Sequence, residues 1–326
     1  MRDARTRRAV TVPAVATAAA LLGSSLGLWA PIATAVDFAT APNRMPRLRL
    51  LSFALAWSTL ESIGVGVTAA LWATGHRDDQ DAHYALQRWW AARLVDALHH
   101  TAGVSFEIDG LERLVPGPIV MCARHASIAD SLLPAWLLGQ VGMRPRYVLK
   151  DDLQFDPCLD IVGNRLPNHF VDRDPDDSAA ELAQLQDLAD GMNAQDAGVI
   201  FPEGMVVTDA RRQRAIDAIT RRYPERASRV RDLQTLGPIR PGGTAALLRG
   251  SPDADLVFVT HTGFEQLQRL ADAPACVPLD QPIRVEITRV TRTEVPSGDA
   301  FVQWFDRQWS ERDRRLTKLA AADHHA

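Results

Sequence analysis

The feature that most constrains the fold is an apolar N-terminal quarter. The run from Ala9 to Val36 has no charged side chain, and it exceeds the roughly 20 residues that a helix needs to cross a bilayer. A second apolar run, from Leu50 to Gly75, has Glu61 as its one charged residue. Runs of this kind are buried either in lipid or in protein. We therefore expect a membrane-associated segment of two helices at residues 1–76, followed by a charge-rich domain at residues 77–326.

The charges beside these runs leave their arrangement in a membrane open. Arginines flank the first run on both sides, namely Arg2, Arg5, Arg7 and Arg8 before it and Arg44, Arg47 and Arg49 after it. Either both runs span with the short loop outside, or they form a hairpin whose arginines face anionic headgroups of the cytoplasmic leaflet. Both arrangements place the remaining chain on the cytoplasmic side of the cell membrane. A cleaved signal peptide, or a second run buried in the globular domain, is the alternative.

The overall composition excludes several classes of protein and of site. A net charge of -4 argues against a general nucleic-acid binder, which would be basic. The three cysteines, Cys122, Cys158 and Cys276, have neither the number nor the spacing of a disulfide framework or a zinc site. We expect them to be small buried residues in a reducing compartment, and we predict no metal site.

Strand and helix patterns alternate beyond the apolar quarter. Short apolar stretches predict strands at residues 104–108, 118–122, 146–149, 169–172, 198–201, 255–260 and 283–290. Helical spacing of apolar residues predicts helices at residues 81–100, 127–138, 178–192, 243–249 and 297–319. This alternation is typical of an α/β fold in which helices cover a sheet.

A His-x4-Asp pattern stands where one predicted strand meets a helix. Residues 124–130 read Arg-His-Ala-Ser-Ile-Ala-Asp, so His125 precedes Asp130 by five positions. A neutral imidazole takes a proton from an alcohol most readily when a carboxylate holds its other nitrogen. No nucleophilic Ser or Cys elbow accompanies the pair, which favours direct attack by a substrate hydroxyl on a thioester. The alternative is a surface histidine at a helix start.

Two further motifs follow in the chain. The first, Gly-Asn-Arg-Leu-Pro-Asn-His-Phe-Val-Asp-Arg, ends at Arg173. A guanidinium binds phosphate in a fork geometry, although an arginine among neighbouring aspartates is also typical of a solvated strand end. The second, Phe-Pro-Glu-Gly, ends at Glu203 and Gly204, and glycine there permits a close turn after a strand.

In this order, the three motifs resemble those of the glycerolipid acyltransferase family over roughly residues 100–290. The resemblance implies that His125 is the general base and that Asp130 orients it. It also implies substrate binding by Arg173, Glu203, Gly204, Lys150 and Arg124. The fold it implies is an α/β acyltransferase sheet covered by helices, preceded by the membrane-associated segment.

The activity implied is transfer of a fatty acyl group from acyl-CoA or acyl carrier protein to a lysophospholipid hydroxyl. The default acceptor is 1-acylglycerol-3-phosphate, which gives phosphatidic acid, and the thioester is a co-substrate rather than a cofactor. The family usually continues the Glu-Gly turn with Thr-Arg, whereas this chain has Met205-Val206. This departure makes another lyso-lipid an alternative acceptor. A thioesterase or lipid hydrolase using the same His-Asp pair is a second alternative.

Two features have no assigned role from the motifs. Eight arginines lie between Arg211 and Arg231. They predict either a basic face for anionic lipid, coenzyme or carrier protein, or a charged helical surface. His261 directly follows the predicted strand 255–260. It is either a second polar group of the acceptor pocket or a strand cap.

Overall fold

The structure is a computed structural model and describes residues 3–171, 178–268 and 270–323. The chain divides into two compact units. The first unit comprises Met1–Ser105, Leu149–Arg173 and Leu270–Pro282, and the second comprises Phe106–Val148, Asp174–Arg269 and Ile283–Ala326. This division differs from the boundary predicted at residue 76, because the first unit also contains the following helix and two later segments.

Within the described residues the chain forms twelve α-helices and seven strands. The helices are α1 (Ala4–Ser24), α2 (Leu26–Thr40), α3 (Pro46–Ala73), α4 (Gln80–Ala102), α5 (Leu133–Gln140), α6 (Pro157–Gly163), α7 (Ser178–Ala189), α8 (Asp209–Arg222), α9 (Ala227–Val230), α10 (Pro241–Gly250), α11 (Ala273–Cys276) and α12 (Asp299–Asp323). The strands are β1 (Phe106–Asp109), β2 (Ile119–Ala123), β3 (Arg144–Lys150), β4 (His169–Val171), β5 (Asp196–Ile200), β6 (Asp255–Thr262) and β7 (Ile283–Val290). Each predicted strand is present within a few residues of its expected bounds.

The first apolar run, expected as one helix, forms two. Helices α1 and α2 meet at Ser25 with a bend of 73°. By length and composition, α3 alone is able to cross a membrane, and the bent pair passes the same test only when it is counted as one span. The described residues therefore contain one or two candidate spans in the N-terminal region.

Helix α3 buries one face and exposes the rest. Its buried positions include Ser58, Glu61, Gly64 and Thr68, whose spacing of three and four residues defines a single helical face. The Glu61 carboxylate accepts hydrogen bonds from Trp90 Nε1 at 2.7 Å and from the backbone N–H of Cys158 at 3.0 Å. The carboxylate is thus paired within the first unit, while the opposite face of α3 stays apolar and exposed.

The tryptophans of α4 belong to a small core of the first unit. Trp89 and Trp90 pack against a cluster of buried residues formed by Tyr84, Leu86, Cys158, Val162 and Leu166. This arrangement accounts for the two tryptophans by core packing.

The N-terminal arginines also have a structural use. Arg7 Nη2 lies 2.7 Å from Asp160 Oδ1, and Arg8 Nε lies 2.8 Å from Asp160 Oδ2. Asp160 is fully buried on α6. Burial by itself raises the pKa of this carboxyl, but the hydrogen bonds from Arg8 and Arg7 outweigh it and lower the pKa. Two guanidiniums therefore hold the start of α1 against α6.

The seven strands form a mixed sheet in the order β1–β7–β6–β2–β5–β3–β4. Strand β7 runs antiparallel to β6, whereas β1 with β7, β2 with β6, β2 with β5 and β3 with β5 are parallel. Strands β2 and β5 are buried at every position, as expected for central strands with both faces covered. The predicted α/β fold is confirmed.

Helix α12 supplies much of the core on one face of this sheet. Its Phe301, Phe305 and Trp309 are buried, and the ring centroid of Phe258 on β6 lies 5.8 Å from that of Phe305. The aromatic positions that predicted a closing helix thus pack directly against the sheet. The carboxyl ends of β2 and β5, next to this core, carry the motif residues.

Candidate active site

The His125 side chain is held by the loop that follows β2. His125 Nδ1 lies 2.7 Å from Asp130 Oδ1, and Asp130 is buried in the first turn after the loop. Because an ionised carboxylate only accepts, the proton of the neutral imidazole is on Nδ1. Nε2 is then the nitrogen with a free lone pair, so the imidazole has the tautomer that a general base requires.

Asp130 also closes the loop on itself. Its Oδ2 accepts hydrogen bonds from the backbone N–H groups of Ala126 at 2.5 Å and Ser127 at 2.7 Å. Burial would raise the pKa of Asp130, but the hydrogen bond from His125 and the proximity of the His261 imidazole outweigh burial and lower it to about 2. The carboxylate is therefore ionised at any pH at which His125 can act as a base.

Glu203 connects this loop to two other segments. Its Oε2 accepts from the backbone N–H of His125 at 2.7 Å, and its Oε1 accepts from the backbone N–H of Gly237 at 2.7 Å. The side chain is 1% exposed. Burial raises the pKa of Glu203 to about 8, against the opposing effect of these two hydrogen bonds. Both oxygens are engaged inside the second unit, so the carboxyl fixes the backbone beside His125.

The turn after Glu203 needs glycine. Gly204 has φ of +69°, in the left-handed region, and an added Cβ would lie 3.2 Å from the Cδ of Arg240. The turn also brings the Phe201 ring to 4.6 Å from the His125 ring, centroid to centroid. The Phe-Pro-Glu-Gly motif thus borders the imidazole, as its place at a strand end predicts.

A second histidine lies behind Asp130. His261, on β6, is 1% exposed, and its Nε2 lies 3.4 Å from Asp130 Oδ2. Neither ring nitrogen of His261 has a well-formed hydrogen bond to any described residue. The ring meets Phe264 edge-on with centroids 5.2 Å apart. The structure therefore places His261 beside the carboxylate. The parallel pairing of β2 with β6 brings the carboxyl ends of these two strands together and so places His261 there.

Arg124 is turned into the second unit. It is buried, forms an ion pair with Glu265 and donates to the backbone carbonyl of His261. Burial would raise the pKa of Glu265, but the Arg124 charge outweighs it and lowers that pKa. Sequence reasoning missed Glu265, because nothing local connects it with Arg124. The substrate-binding role expected for Arg124 stays a prediction, and its guanidinium is already engaged.

Two other residues, Lys150 and Arg173, are also predicted to bind substrate. Lys150 ends β3 and its side chain is exposed. Arg173 falls between residues 171 and 178, outside the described residues. The structure thus brings together His125, Asp130, Glu203 and Gly204, and their predicted companions Lys150 and Arg173 stay predictions.

The basic stretch between Arg211 and Arg231 does not form one surface. Its first part is the exposed helix α8, whereas Arg226 is buried and lies 2.7 Å from Asp306 Oδ1. Arg226 also donates to the backbone carbonyl of Ile239 at 3.0 Å. Part of this stretch is therefore structural.

Among the described residues, no group of three or more His, Cys, Asp or Glu side chains has the arrangement of a metal site.

Comparison with known proteins is consistent with this geometry. Residues 105–242, from the start of β1 into α10, match the family model described as Acyltransferase. The fold is similar to the crystal structure of the 1-acyl-sn-glycerophosphate (LPA) acyltransferase PlsC from Thermotoga maritima. That likeness has a TM-score of 0.52 and 13% sequence identity, and covers 82% of this chain and 97% of the other. No curated protein sequence matches the chain.

Proposed function

The chain carries a domain of the acyltransferase family at residues 105–242, and from this premise we propose that the protein is a membrane-associated O-acyltransferase. It transfers a fatty acyl group from acyl-CoA or acyl carrier protein to the free hydroxyl of a lysophospholipid. The observation that carries the proposal is the 2.7 Å contact of His125 Nδ1 with Asp130 Oδ1, which leaves Nε2 as a base.

The reaction follows from this arrangement. His125 Nε2 removes the proton of the acceptor hydroxyl. At the same time the hydroxyl oxygen attacks the carbonyl carbon of the thioester. The new C–O bond forms and the C–S bond breaks, and the imidazolium returns its proton to the leaving sulfur. Asp130 stabilises the imidazolium and stays ionised because its pKa is about 2. No acyl-enzyme is formed, since the acceptor itself is the nucleophile.

Three further residues position this pair. Glu203 fixes the backbone N–H of His125, and Arg124 fixes the carbonyl of His261. His261 lies against the Asp130 oxygen that the loop N–H groups also share. We assign these three residues positioning roles, because their polar groups face the protein.

The acceptor we propose is 1-acylglycerol-3-phosphate, with another lyso-lipid as the alternative. Two points support the first: the similar fold is that of a 1-acyl-sn-glycerophosphate acyltransferase, and Arg173 ends a motif suited to bind a phosphate. Met205-Val206, in place of the expected Thr-Arg, supports the alternative. Lys150 is proposed as a further acceptor contact.

Membrane association is supported by α3, which is long and apolar enough to cross a bilayer. Its outward face is apolar, while its one carboxylate is paired inside the first unit. We propose that this helix holds the protein in the cell membrane, with the acyltransferase domain on the cytoplasmic side. The lysophospholipid then reaches the domain from the bilayer.

The test is release of free thiol from palmitoyl-CoA by detergent-purified protein, with lysophosphatidic acid present, absent or replaced by other lyso-lipids. We expect release that depends on an acceptor and that disappears in His125→Ala. The exposed His100→Ala is the matched control and retains activity. Release in the absence of any acceptor would contradict the proposal and indicate a thioesterase. Full activity in His125→Ala would exclude the mechanism.

A further inference from the structure

The first unit contains a groove in which two arginines face an apolar wall. Its volume is about 260 Å³, and its lining includes Arg8, Val65, Thr68, Ala69, Trp72 and Arg165. Trp72 is 63% exposed at the end of α3. The charged wall comes from α1 and from the residues after α6, whereas the apolar wall belongs to the candidate membrane span.

In the charged wall, the one carboxylate that contacts an arginine of the groove is that of Asp160, among the described residues. Arg8 shares the single carboxylate of Asp160 with Arg7. Arg165 forms no ion pair with any described carboxylate, and its Nη1 lies 3.5 Å from the carbonyl oxygen of Thr68, at the limit of a hydrogen bond. An anion in the groove would therefore give Arg165 a contacting counter-charge, which the described carboxylates do not provide.

A second contact of Arg165 does not satisfy it. Its Nη1 lies 3.5 Å from His83 Nε2, but that nitrogen lies 2.9 Å from the carbonyl oxygen of Arg77. Because a carbonyl only accepts, Nε2 carries the proton and offers Arg165 no lone pair. Burial and the charges of Arg77 and Arg8 lower the pKa of Arg165, against the opposing charge of Asp78. The guanidinium thus retains donors for a ligand.

We propose that this groove binds an anionic phospholipid, with its phosphate on Arg165 and Arg8 and an acyl chain along Val65, Ala69 and Trp72. Phosphate oxygens match the planar donor fork of a guanidinium. An indole at the border of polar and apolar surfaces is typical of the headgroup level of a bilayer. The juxtaposition of unpaired arginine and exposed apolar helix fits a lipid better than a free anion, which would leave the apolar wall uncovered.

This site shares no residue with those assigned to acyl transfer. It therefore selects which lipid surrounds the protein and does not supply a reacting group. Failure of acyl transfer would leave this proposal standing, and failure of lipid binding would leave the acyltransferase proposal standing.

The experiment uses full-length protein in detergent micelles, titrated with phosphatidylglycerol carrying brominated acyl chains. Quenching of tryptophan fluorescence reports contact with the lipid chains. We expect saturable quenching by this lipid, little by phosphatidylcholine with the same chains, and loss of most of the signal in Trp72→Phe. Arg165→Gln should weaken the apparent Kd about tenfold. Arg5→Gln, an exposed charge in the same first turns of α1, is the matched control and should change the Kd less than about twofold.

A second variant tests the apolar wall without removing charge. Ala69→Phe fills the groove and should also weaken binding, while circular dichroism and Tm confirm that each variant folds. Equal quenching by the two lipids would overturn the proposal, as would equal losses in Arg165→Gln and Arg5→Gln. Stabilisation by inorganic phosphate with no quenching by lipid would show a free-anion site and would likewise overturn it.

Discussion

Asp160 in the first unit and Asp130 in the second are both buried, and their charges are compensated by different kinds of partner. In the first unit, Asp160 faces the guanidiniums of Arg7 and Arg8. In the second unit, Asp130 faces two backbone N–H groups and the imidazoles of His125 and His261. Both pKa values are lowered. The partners differ because a guanidinium is always charged, whereas an imidazole gains its charge only with a proton.

This difference separates a structural carboxylate from a reactive one. The charge of Asp160 is compensated in every state, so its contribution is to hold α1 on α6. Asp130 forms an ion pair with His125 only when the His125 imidazole is protonated. Its stabilisation therefore grows during the reaction, which is the condition for lowering a barrier.

The largest effect expected is on activity. Asp130→Asn should lower kcat about 10⁴-fold, because an amide neither fixes the Nδ1–H tautomer nor stabilises the imidazolium. Thiol release from palmitoyl-CoA with saturating acceptor measures it. Asp160→Asn is the control, and its folded fraction should keep its specific activity. Equal activity losses in the two variants would break the distinction between the two carboxylates.

The next effect concerns stability. Asp160→Asn leaves the buried Arg7 without its anion and should lower the free energy of unfolding by about 3–5 kcal/mol. The exposed pair of Arg93 and Asp96 supplies the control, since Asp96→Asn should cost at most about 1 kcal/mol. Thermal unfolding in detergent reports both variants. Similar Tm values for them would mean that the Asp160 pairs contribute nothing beyond a surface pair.

A smaller effect is expected at the second imidazole. His261→Gln should lower kcat about tenfold with KM unchanged, because His261 acts on the ionised Asp130 and not on the acceptor. An increase in KM with kcat unchanged would instead place His261 in the acceptor pocket, one of the roles considered from the sequence.

The smallest effect is the pH dependence of stability from Glu203, a buried carboxyl whose two hydrogen-bond donors are backbone N–H groups. Burial raises its pKa from 4.5 to about 8 in the folded chain. The folded state thus retains a proton that the unfolded chain releases above about pH 4.5. The stability tied to this proton is complete below pH 4.5 and is lost as pH rises to about 8.

Glu203→Gln removes this titration. Its Tm should therefore fall less between pH 5 and pH 8 than that of the unchanged protein. Parallel Tm curves over this range would show that Glu203 is ionised throughout. Glu203 would then no longer be an example of a buried carboxyl that stays protonated although it accepts two backbone hydrogen bonds.

The parts of the site that sequence predicted are those that are close in the chain. His125 and Asp130 are five residues apart, so one loop and one turn decide their contact. The strands were predictable because buried strands of a parallel sheet are continuous apolar runs. Glu203 was identified as important, but its two backbone partners lie 78 and 34 residues away and depend on tertiary packing.

The parts that sequence could not predict depend on distant pairing. His261 reaches Asp130 only through the register of β2 against β6. Arg7 and Asp160 are separated by 153 residues, and nothing local announces their contact. The bend at Ser25 interrupts a run with no charge to mark it. Hydrophobicity therefore predicted that this run is buried or lipid-facing, but not its division into two helices.

The close approach of α3 to α6 has a chemical consequence. A Cβ at Gly64 would overlap Cys158 Sγ, so the thiol is shielded by the helix backbone. Burial also raises the pKa of the Cys158 thiol, which suppresses the reactive thiolate. Alkylation at Cys158, followed by mass spectrometry of its peptide, therefore measures how often α3 separates from α6. Cys276, which is only partly buried, provides the reference rate within the same molecule.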